Sequence, residues 1–509
     1  MSVEFDFVII GAGSAGCALA HRLAEKRVGT IAVLEAGPSD AVPQVKVPFG
    51  LLFTMGSKRD WRLTSHAQNH LNGRTVKVTR GHMLGGSSSI NSMVWFKGRT
   101  DDFDNWAVPG WSWADVAPHF EAVENAVQPQ RLPDPHPLAE DLGRTLGSNG
   151  FAPPTPERES AGVFHTNMRN GRRWSAADAF LRPAQKTGLV TVITGANTNR
   201  LAVKDGRANG VILTDGRTIT ARRGIVLSAG SIGSPTILMR SGIGPAKHLK
   251  SLGITPCLDA PEVGKNLHDH PSVGVHHAGQ RSGYGLTIDQ AAAWAMSPLR
   301  WLFTRKGRMS SNFVEAGAFL RAAPIGADGD DRPDAQVHFI PYMMGYQGKA
   351  ITRGSGYFAD ICLCRPKSRG KLTLKSADPN ATPIIDLGLL SDPQDLDLLT
   401  EAFKRLRDLM ANAPFDHRRA PEVFPAATAQ TDEEIKDYIR ARCATAYHPV
   451  GTLRIGDDKA PLKENLQVRG LSNLWVADAS IMPSITSANT NAPSMMIGHR
   501  AGDLIAESL

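Results

Sequence analysis

The chain has 509 residues, of which 41% are hydrophobic, 21% charged and 6% aromatic. This composition excludes a disordered or fibrous protein and allows a large core divided among about two to four domains. The net charge of +8 falls in short scattered groups (Arg172-Arg173, Arg222-Arg223, Arg365 to Lys371, Arg418-Arg419) that read as solvated surface rather than a nucleic-acid stripe.

The N-terminus, MSVEFDFVII, has no basic leader before its apolar run, and no apolar stretch is long enough to span a bilayer. A cytoplasmic protein without signal peptide or integral membrane segment is expected. The five cysteines, Cys17, Cys257, Cys362, Cys364 and Cys443, are odd in number and widely spread, which argues against a disulfide framework and for a reducing compartment.

Phe5 to Ile10 reads as a strand, and Gly11-Ala12-Gly13-Ser14-Ala15-Gly16 follows at once. A helical stretch, Cys17 to Lys26, and a second strand, Thr30 to Leu34, lead to Glu35. Gly11 allows the tight turn, Gly13 the approach of a pyrophosphate, and Gly16 close packing of helix on strand. The helix N-terminus offers free N–H groups and a positive dipole end to phosphate. Glu35 stands where a carboxylate accepts from an adenosine ribose. The pattern predicts dinucleotide binding and leaves NAD and FAD open.

Residues 80 to 92, RGHMLGGSSSINS, expose many backbone N–H groups and hydroxyls, while Met83, Leu84 and Ile90 argue for a packed loop over a linker. Residues 125 to 160 are Pro-rich and polar and read as a long surface connection. Strand signals with Asp-Gly turns return between 189 and 230, followed over Ser231 to Gly244 by a turn, an apolar helix and a Gly-rich stop. Residues 334 to 385 read as an antiparallel sheet, 392 to 413 as an amphipathic helix, 474 to 480 as a strand and 492 to 507 as the last helix. The expected fold is α/β, with an α+β second part. A discontinuous Rossmann-type domain (1–100, 161–275 and 440–509) carries an inserted antiparallel-sheet domain (276–439), and 101–160 connects them.

YHPVGT, residues 447 to 452, holds His448 ahead of a proline that restricts its backbone. An isolated His-Pro is most simply a core histidine. Asn489 and Asn491 precede the last helix, whose first turn suits Pro493, so Asn491 reads as its N-cap. His268-Asp269-His270 has the letters of a metal site but reads as a structural loop, and no metal is expected.

These segments together resemble the glucose-methanol-choline (GMC) oxidoreductases, FAD enzymes acting on alcohols. The resemblance spans nearly the whole chain. It rests on GAGSAG with Glu35, RGHMLGGSSSIN, SAGSIGSPTILMRSGIGP, VGKNLHDHP, SRGKLTLKSADP, YHPVGT and VADASIMPSITSANTNAPSMMIGHRAGDLI. It implies a Rossmann-type FAD domain and a sheet-based substrate domain. It assigns Gly11, Gly13, Ser14, Ala15, Gly16, Glu35 and Ala36 to the ADP half of FAD, with Thr198 and Ala229 also at the cofactor. Gly81, Met83, Leu84, Gly85, Gly86, Ser87, Asn91, Ser92, Met93 and Val94 would line the pyrophosphate and flavin, and Trp61 would lie near the ring. Asp478, Ala479, Asn491 and Ala492 would close the site from the C-terminal segment. His448 matches the catalytic histidine. Asn489 matches the second catalytic position, with Asn491 its rival for the substrate oxygen.

Two departures stand out. Relatives that bond FAD covalently use a histidine where this chain has Ile90, so the FAD is expected to be non-covalent. Leu453 and Ile455 are apolar replacements within HPVGTLRIG that leave the chemistry alone. Glu315 matches a substrate-facing acid of choline-type relatives and also reads as a generic structural or pocket acid. The chain lacks an evident aromatic richness for a quaternary-ammonium cage. The implied reaction is oxidation of an alcohol to an aldehyde or ketone, with hydride passing to flavin N5, His448 as base, and oxygen or another acceptor taking the electrons. A hydroxynitrile-type lyase or a non-redox flavin protein is the alternative.

Overall fold

Val3–Ile10 runs through the middle of a seven-stranded sheet in a computed structural model that describes residues 3–147, 154–280, 282–323, 331–344 and 354–509. The order is Val190–Thr194, Ile31–Glu35, Val3–Ile10, Thr218–Leu227, Arg207–Leu213, Thr198–Lys204, with Leu474–Val476 also paired to Thr218–Leu227. Neighbours of the central strand pair in parallel, and the 198–227 segment is an antiparallel meander. Parallel strands covered on both faces need continuous apolar runs, and Phe7 to Ile10 and Ile31 to Leu34 are all at most 3% exposed. The meander turns at Asp205 and Gly206, both left-handed (φ 51° and 68°), the conformation that matches strand twist in a two-residue hairpin.

Helix Ser14–Glu25 follows the first strand, and the C-terminal helix Asn491–Glu507 lies across it. Gly498 permits that approach, since a Cβ there would stand 2.1 Å from the carbonyl oxygen of Ala15. The last helix starts one residue earlier than expected. Its N-cap is Thr490, so Asn491 is not the cap and has its side chain free for other work.

A second sheet, also seven-stranded, is antiparallel: Glu422–Phe424, Pro271–Ala278, Gly356–Leu363, Ala335–Ile340, Ala316–Leu320, Ser160–Val163, with Ala444–Thr445 added to Pro271–Ala278. The expected boundaries at 160/161 and 275/276 fall inside two of these strands. Period-2 alternation gives this sheet two faces. Val337, Phe339, Tyr357, Ala359 and Ile361 are fully buried on one, where Phe415 packs on Phe339 and Tyr357 beside helix Pro393–Asn412. Register places Gln336 opposite Cys362, His338 opposite Asp360 and Asp360 opposite Gly274 on the other.

Two surface assignments need correction. Within 125–160, helix Pro137–Gly143 buries Leu138, Ala139 and Leu142 completely, so this stretch is partly core. Residues 148–153 of it lie outside the described residues. Arg173, read as solvated, is 1% exposed. All five cysteines are free, and no described helix is long and apolar enough to cross a membrane.

Candidate active site

Two glycine-rich loops meet back to back at the end of the parallel strands. Gly85 N–H donates to the Ala12 carbonyl at 2.8 Å, and a Cβ on Gly86 would stand 2.7 Å from Gly13 Cα. On Gly11, left-handed at φ 104°, a Cβ would come within 2.4 Å of the Ser228 carbonyl oxygen. These contacts require glycine and hold both loops rigid. Glu35 accepts from the N–H groups of Ala12 (3.0 Å) and Gly37 (2.9 Å), which leaves each oxygen a second lone pair for a ribose hydroxyl. Burial pushes its carboxyl up to about 7 against those two bonds.

Two helices, Ser14–Glu25 and Asn491–Glu507, begin without a side-chain bond from their N-cap residue, while the first N–H of a third, Gly230–Arg240, is taken by the Asp478 carboxylate. Ser14 Oγ donates to Asn491 Oδ1 at 2.8 Å, so two of these N-termini meet. Asn491 Nδ2 and Thr198 Oγ1 are buried without a partner. Uncapped N-termini suit an anionic pyrophosphate, and the two orphan groups are polar atoms that a bound dinucleotide would satisfy. The residues present fit FAD.

The RGHMLGGSSSINS loop is packed, as expected. Met83 and Ile90 sit in an apolar cluster with Phe313, Ile340 and Tyr342, and Val94 sits in another with Phe96, Phe164, Phe319 and Ala488. Asn91 Oδ1 accepts from Met93 N–H (3.0 Å) and from Arg173 (2.8 Å), and Ser92 accepts from Asn312. Arg173 also donates to the Val45 and Ser88 carbonyls. Its charge beneath the loop escaped sequence reading, because nothing local separates it from exposed Arg172. Asp478 is spent inside the protein: its carboxylate accepts from Gly230 N–H (2.9 Å), Ser234 Oγ (2.5 Å) and Ser480 N–H (2.8 Å). Trp61 is 42% exposed, its ring 4.2 Å from that of His82.

The structure brings His448 and Asn489 together. His448 Nε2 lies 3.2 Å from Asn489 Nδ2, and Asn489 Oδ1 accepts from Gln336 Nε2 at 3.1 Å. Gln336 thus turns the amide so that its N–H faces the imidazole. On the other side, His448 Nδ1 lies 3.1 Å from His270 Nδ1, and His270 Nε2 lies 3.1 Å from the Thr486 carbonyl oxygen. A carbonyl only accepts, so His270 carries its proton on Nε2. His270 Nδ1 must then accept, so His448 carries its proton on Nδ1. His448 Nε2 is left with a lone pair facing Asn489.

The backbone of this turn is equally constrained. Tyr447 is left-handed at φ 67° and donates its N–H to Thr445 Oγ1, while Arg80 donates to its carbonyl. Asp269 accepts the His448 N–H at 3.0 and 3.1 Å, the His270 N–H at 2.7 Å and the Thr445 hydroxyl. Ser231 Oγ donates to the Pro449 carbonyl at 2.5 Å. The expected structural loop His268-Asp269-His270 is therefore the mount of His448. Burial, then the neighbouring His270, His338 and Arg80, hold His448 well below the usual histidine range, so it is neutral at pH 7.

Glu315 is fully buried and accepts from His136 N–H and Ser311 Oγ, and burial raises it to about 7. Aromatic residues do gather nearby, contrary to expectation: Phe49, Tyr284, Trp294, Phe313 and Tyr342 contact one another. Arg308 already lies over two of them, 5.4 Å from Tyr284 and 4.8 Å from Trp294. Among the described residues, the metal-type cluster lies elsewhere, at His119, His499 and Asp503. Arg500 donates to His119 Nε2, His119 Nδ1 pairs with His499 Nδ1 at 2.9 Å, and Arg22 and Lys26 occupy Asp503, so these groups already have partners inside the protein.

Comparison with known proteins agrees with this architecture. Family models of the GMC oxidoreductase N- and C-terminal parts match residues 5–272 and 366–498. The chain is similar to the oxygen-dependent choline dehydrogenases of Sinorhizobium fredii (37% identical) and Sinorhizobium medicae (38%), each over 99% of this chain and 96% of the relative. It is similar in structure to pyridoxine 4-oxidase from Mesorbium loti, with a TM-score of 0.84, 27% identity and 98% of each chain covered. Formate oxidase gives a TM-score of 0.89 at 25% identity, covering 100% of this chain and 99% of the other. Fold and comparisons together define an FAD-dependent oxidoreductase acting on CH–OH groups. The chain belongs to the GMC oxidoreductase family.

Proposed function

We propose that His448 takes the hydroxyl proton of a small alcohol while Asn489 holds its oxygen, giving an aldehyde or ketone. The observation that carries this is the 3.2 Å pair of His448 Nε2 and Asn489 Nδ2, with the lone pair of Nε2 fixed by the Thr486 carbonyl through His270. A hydroxyl entering between them accepts from the amide and donates to the imidazole. Bound FAD supplies the hydride acceptor. The protein's share is to orient the alcohol and remove its proton, with general-base help worth roughly 10²–10⁴-fold. Asn491 serves the cofactor instead: its carbonyl is taken by Ser14 and its amide N–H is the orphan of the cradle.

The FAD is non-covalent in this reading, because apolar Ile90 stands at the histidine position of covalent relatives. The cytoplasmic side suits five free cysteines. For the substrate we propose a cationic alcohol of the choline type, in line with the names of the relatives above. Glu315 is a poor partner for the cation, since it is fully buried and burial raises its carboxyl to about 7, which leaves much of it uncharged near neutral pH. Asp360 is a better one. It lies on the Gln336–His338 face of the sheet, holds Ser272 Oγ (2.6 Å) and His338 Nδ1 (3.4 Å) on one oxygen, and interacts with Tyr447 beside the base.

The test is anaerobic mixing of the yellow holoprotein with an alcohol panel, choline included, following flavin absorbance. Bleaching by one class, lost in His448→Ala that still holds FAD, is the expected result. Asp360→Asn should raise KM for a cationic alcohol by about tenfold or more and leave neutral alcohols alone. Failure of a wide panel to bleach FAD-loaded protein would remove the reading in favour of lyase or non-redox chemistry.

A further inference from the structure

Among the described residues twelve large hydrophobic side chains are exposed, and six of them crowd into one stretch: Leu286, Ile288, Met296, Leu299, Leu302 and Phe303. Ile288 is 96% exposed and Phe303 81%. Most of this stretch is helix Ala291–Thr304, AAAWAMSPLRWLFT. At 3.6 residues per turn, Ile288, Ala292, Ala295, Met296, Leu299, Leu302 and Phe303 fall on one side. That side faces away from the protein. The opposite side, Trp294, Ser297 and Trp301, fastens the helix. Trp294 Nε1 donates to the Gly285 carbonyl at 2.8 Å and its ring packs on Phe49, Ser297 is 4% exposed, and Trp301 Nε1 donates to the Gly171 carbonyl at 2.9 Å. The helix is thus held with its apolar side outward.

The rim of the patch is cationic. The helix carries one charged residue, Arg300, and Arg305 and Lys306 follow it directly. Arg305 lies on the Trp301 ring at 4.4 Å, and exposed Arg172 follows Gly171, which backs onto Arg305. Two acids are close: Asp134, already paired with Arg300, and Asp289 at the far end.

We propose that this face docks on an anionic bilayer surface, with the helix lying in the headgroup layer and its apolar side inserted. A surface helix with Phe, Leu and Met on one side and Arg and Lys at its border gains from buried apolar area and from attraction to anionic lipid. Charge selects this occupant over a second copy of the chain. Two copies would bring two cationic rims to one interface with few acids to meet them, whereas an anionic headgroup layer neutralises every rim charge. The helix needs no rearrangement to insert. It also joins the apolar cluster of Met83, Ile90, Phe313 and Tyr342 through Phe49 and Trp294, so the docked face backs onto the glycine-rich loop that meets the GAGSAG turn.

The test is co-sedimentation of the FAD-loaded full chain with vesicles of phosphatidylcholine alone and of phosphatidylcholine with phosphatidylglycerol. Binding to the mixed vesicles, weakened by salt and lowered about tenfold in a Leu299→Glu, Phe303→Glu double variant with unchanged flavin content, is the expected result. Both residues are exposed, so the variant keeps its fold. Absence of binding to either vesicle overturns the proposal, as does binding that the double variant leaves intact. A concentration-dependent dimer in analytical ultracentrifugation, dissolved by the same variant, overturns it in favour of a second copy.

Discussion

At the scale of residues, a chain of single protons decides what His448 can do. The Thr486 carbonyl fixes His270, His270 fixes His448, and the lone pair of His448 Nε2 faces the amide of Asn489. Replacing His270 by phenylalanine keeps the bulk but removes the acceptor for His448 Nδ1–H. Flavin reduction should slow by about 10²-fold with FAD content unchanged, and the pH profile should move as His448 loses its fixed tautomer. A rate within about twofold of wild type would show that the tautomer is set some other way. The wild-type profile follows from the depressed pKa of His448. A base whose pKa is lowered stays unprotonated above that lowered value. The reduction rate should therefore be flat from pH 8 through 6.5 and fall only at lower pH. Both members of the His448–Asn489 pair were legible in the sequence as candidates, because YHPVGT and the segment before the last helix are local patterns. Asp269, His270, Gln336, Thr486 and Arg173 were not. They reach the site through sheet register and loop crossing, over as many as 216 positions between His270 and Thr486, and nothing beside them in the chain records that.

Elements were read best where one residue type does a unique job. The Asp-Gly pairs located the meander, and the glycines of GAGSAG located the crossing helix. The helix at Pro137–Gly143 was missed, because its prolines and acids mask the spacing of Leu138 and Leu142, which fill core. Gly498 is the converse case, an unremarked helix glycine on which two elements depend. A methyl group there would meet the Ala15 carbonyl oxygen at 2.1 Å. Gly498→Ala should force the two helices apart and lower unfolding stability by about 1–3 kcal/mol in chemical denaturation. It should also loosen FAD, because Ser14 and Asn491 meet at the same crossing.

For the molecule as a whole, buried titratable groups set the response to acid. His136, His268 and His270 are lowered to about 3, and His119, His276 and His499 to about 4, chiefly by burial. Unfolding returns each to about 6.5, so the unfolded chain binds more protons and stability falls as pH drops from 6.5 toward 3. Glu35 and Glu315, raised to about 7, and Asp269, raised to about 6, act in the opposite sense. Their contribution is complete below the ordinary carboxylate range near 4 and is lost as pH rises through 6 to 7. They offset part of the histidine term above pH 4.5 and none below it. Thermal melts should therefore decline gently from pH 6.5 to 4.5 and steeply beneath. A melting temperature unchanged down to pH 3.5 would contradict the buried neutral histidines.

The two-faced antiparallel sheet separates two demands that an enzyme engineer usually finds entangled. Along three adjacent strands, even-numbered positions (272, 274 and 276; 336, 338 and 340; 358, 360 and 362) share one face, and odd-numbered ones carry the packing against helix Pro393–Asn412. A combinatorial library on this face that spares Gln336 for its hold on Asn489, Gly274, where a Cβ would stand 2.5 Å from the Phe358 ring, and Ile340 and Phe358, which pack with Met83 and Phe313, leaves the packing against helix Pro393–Asn412 untouched. Selectivity for new alcohols can then be searched along one parity of the chain while the other parity keeps the scaffold.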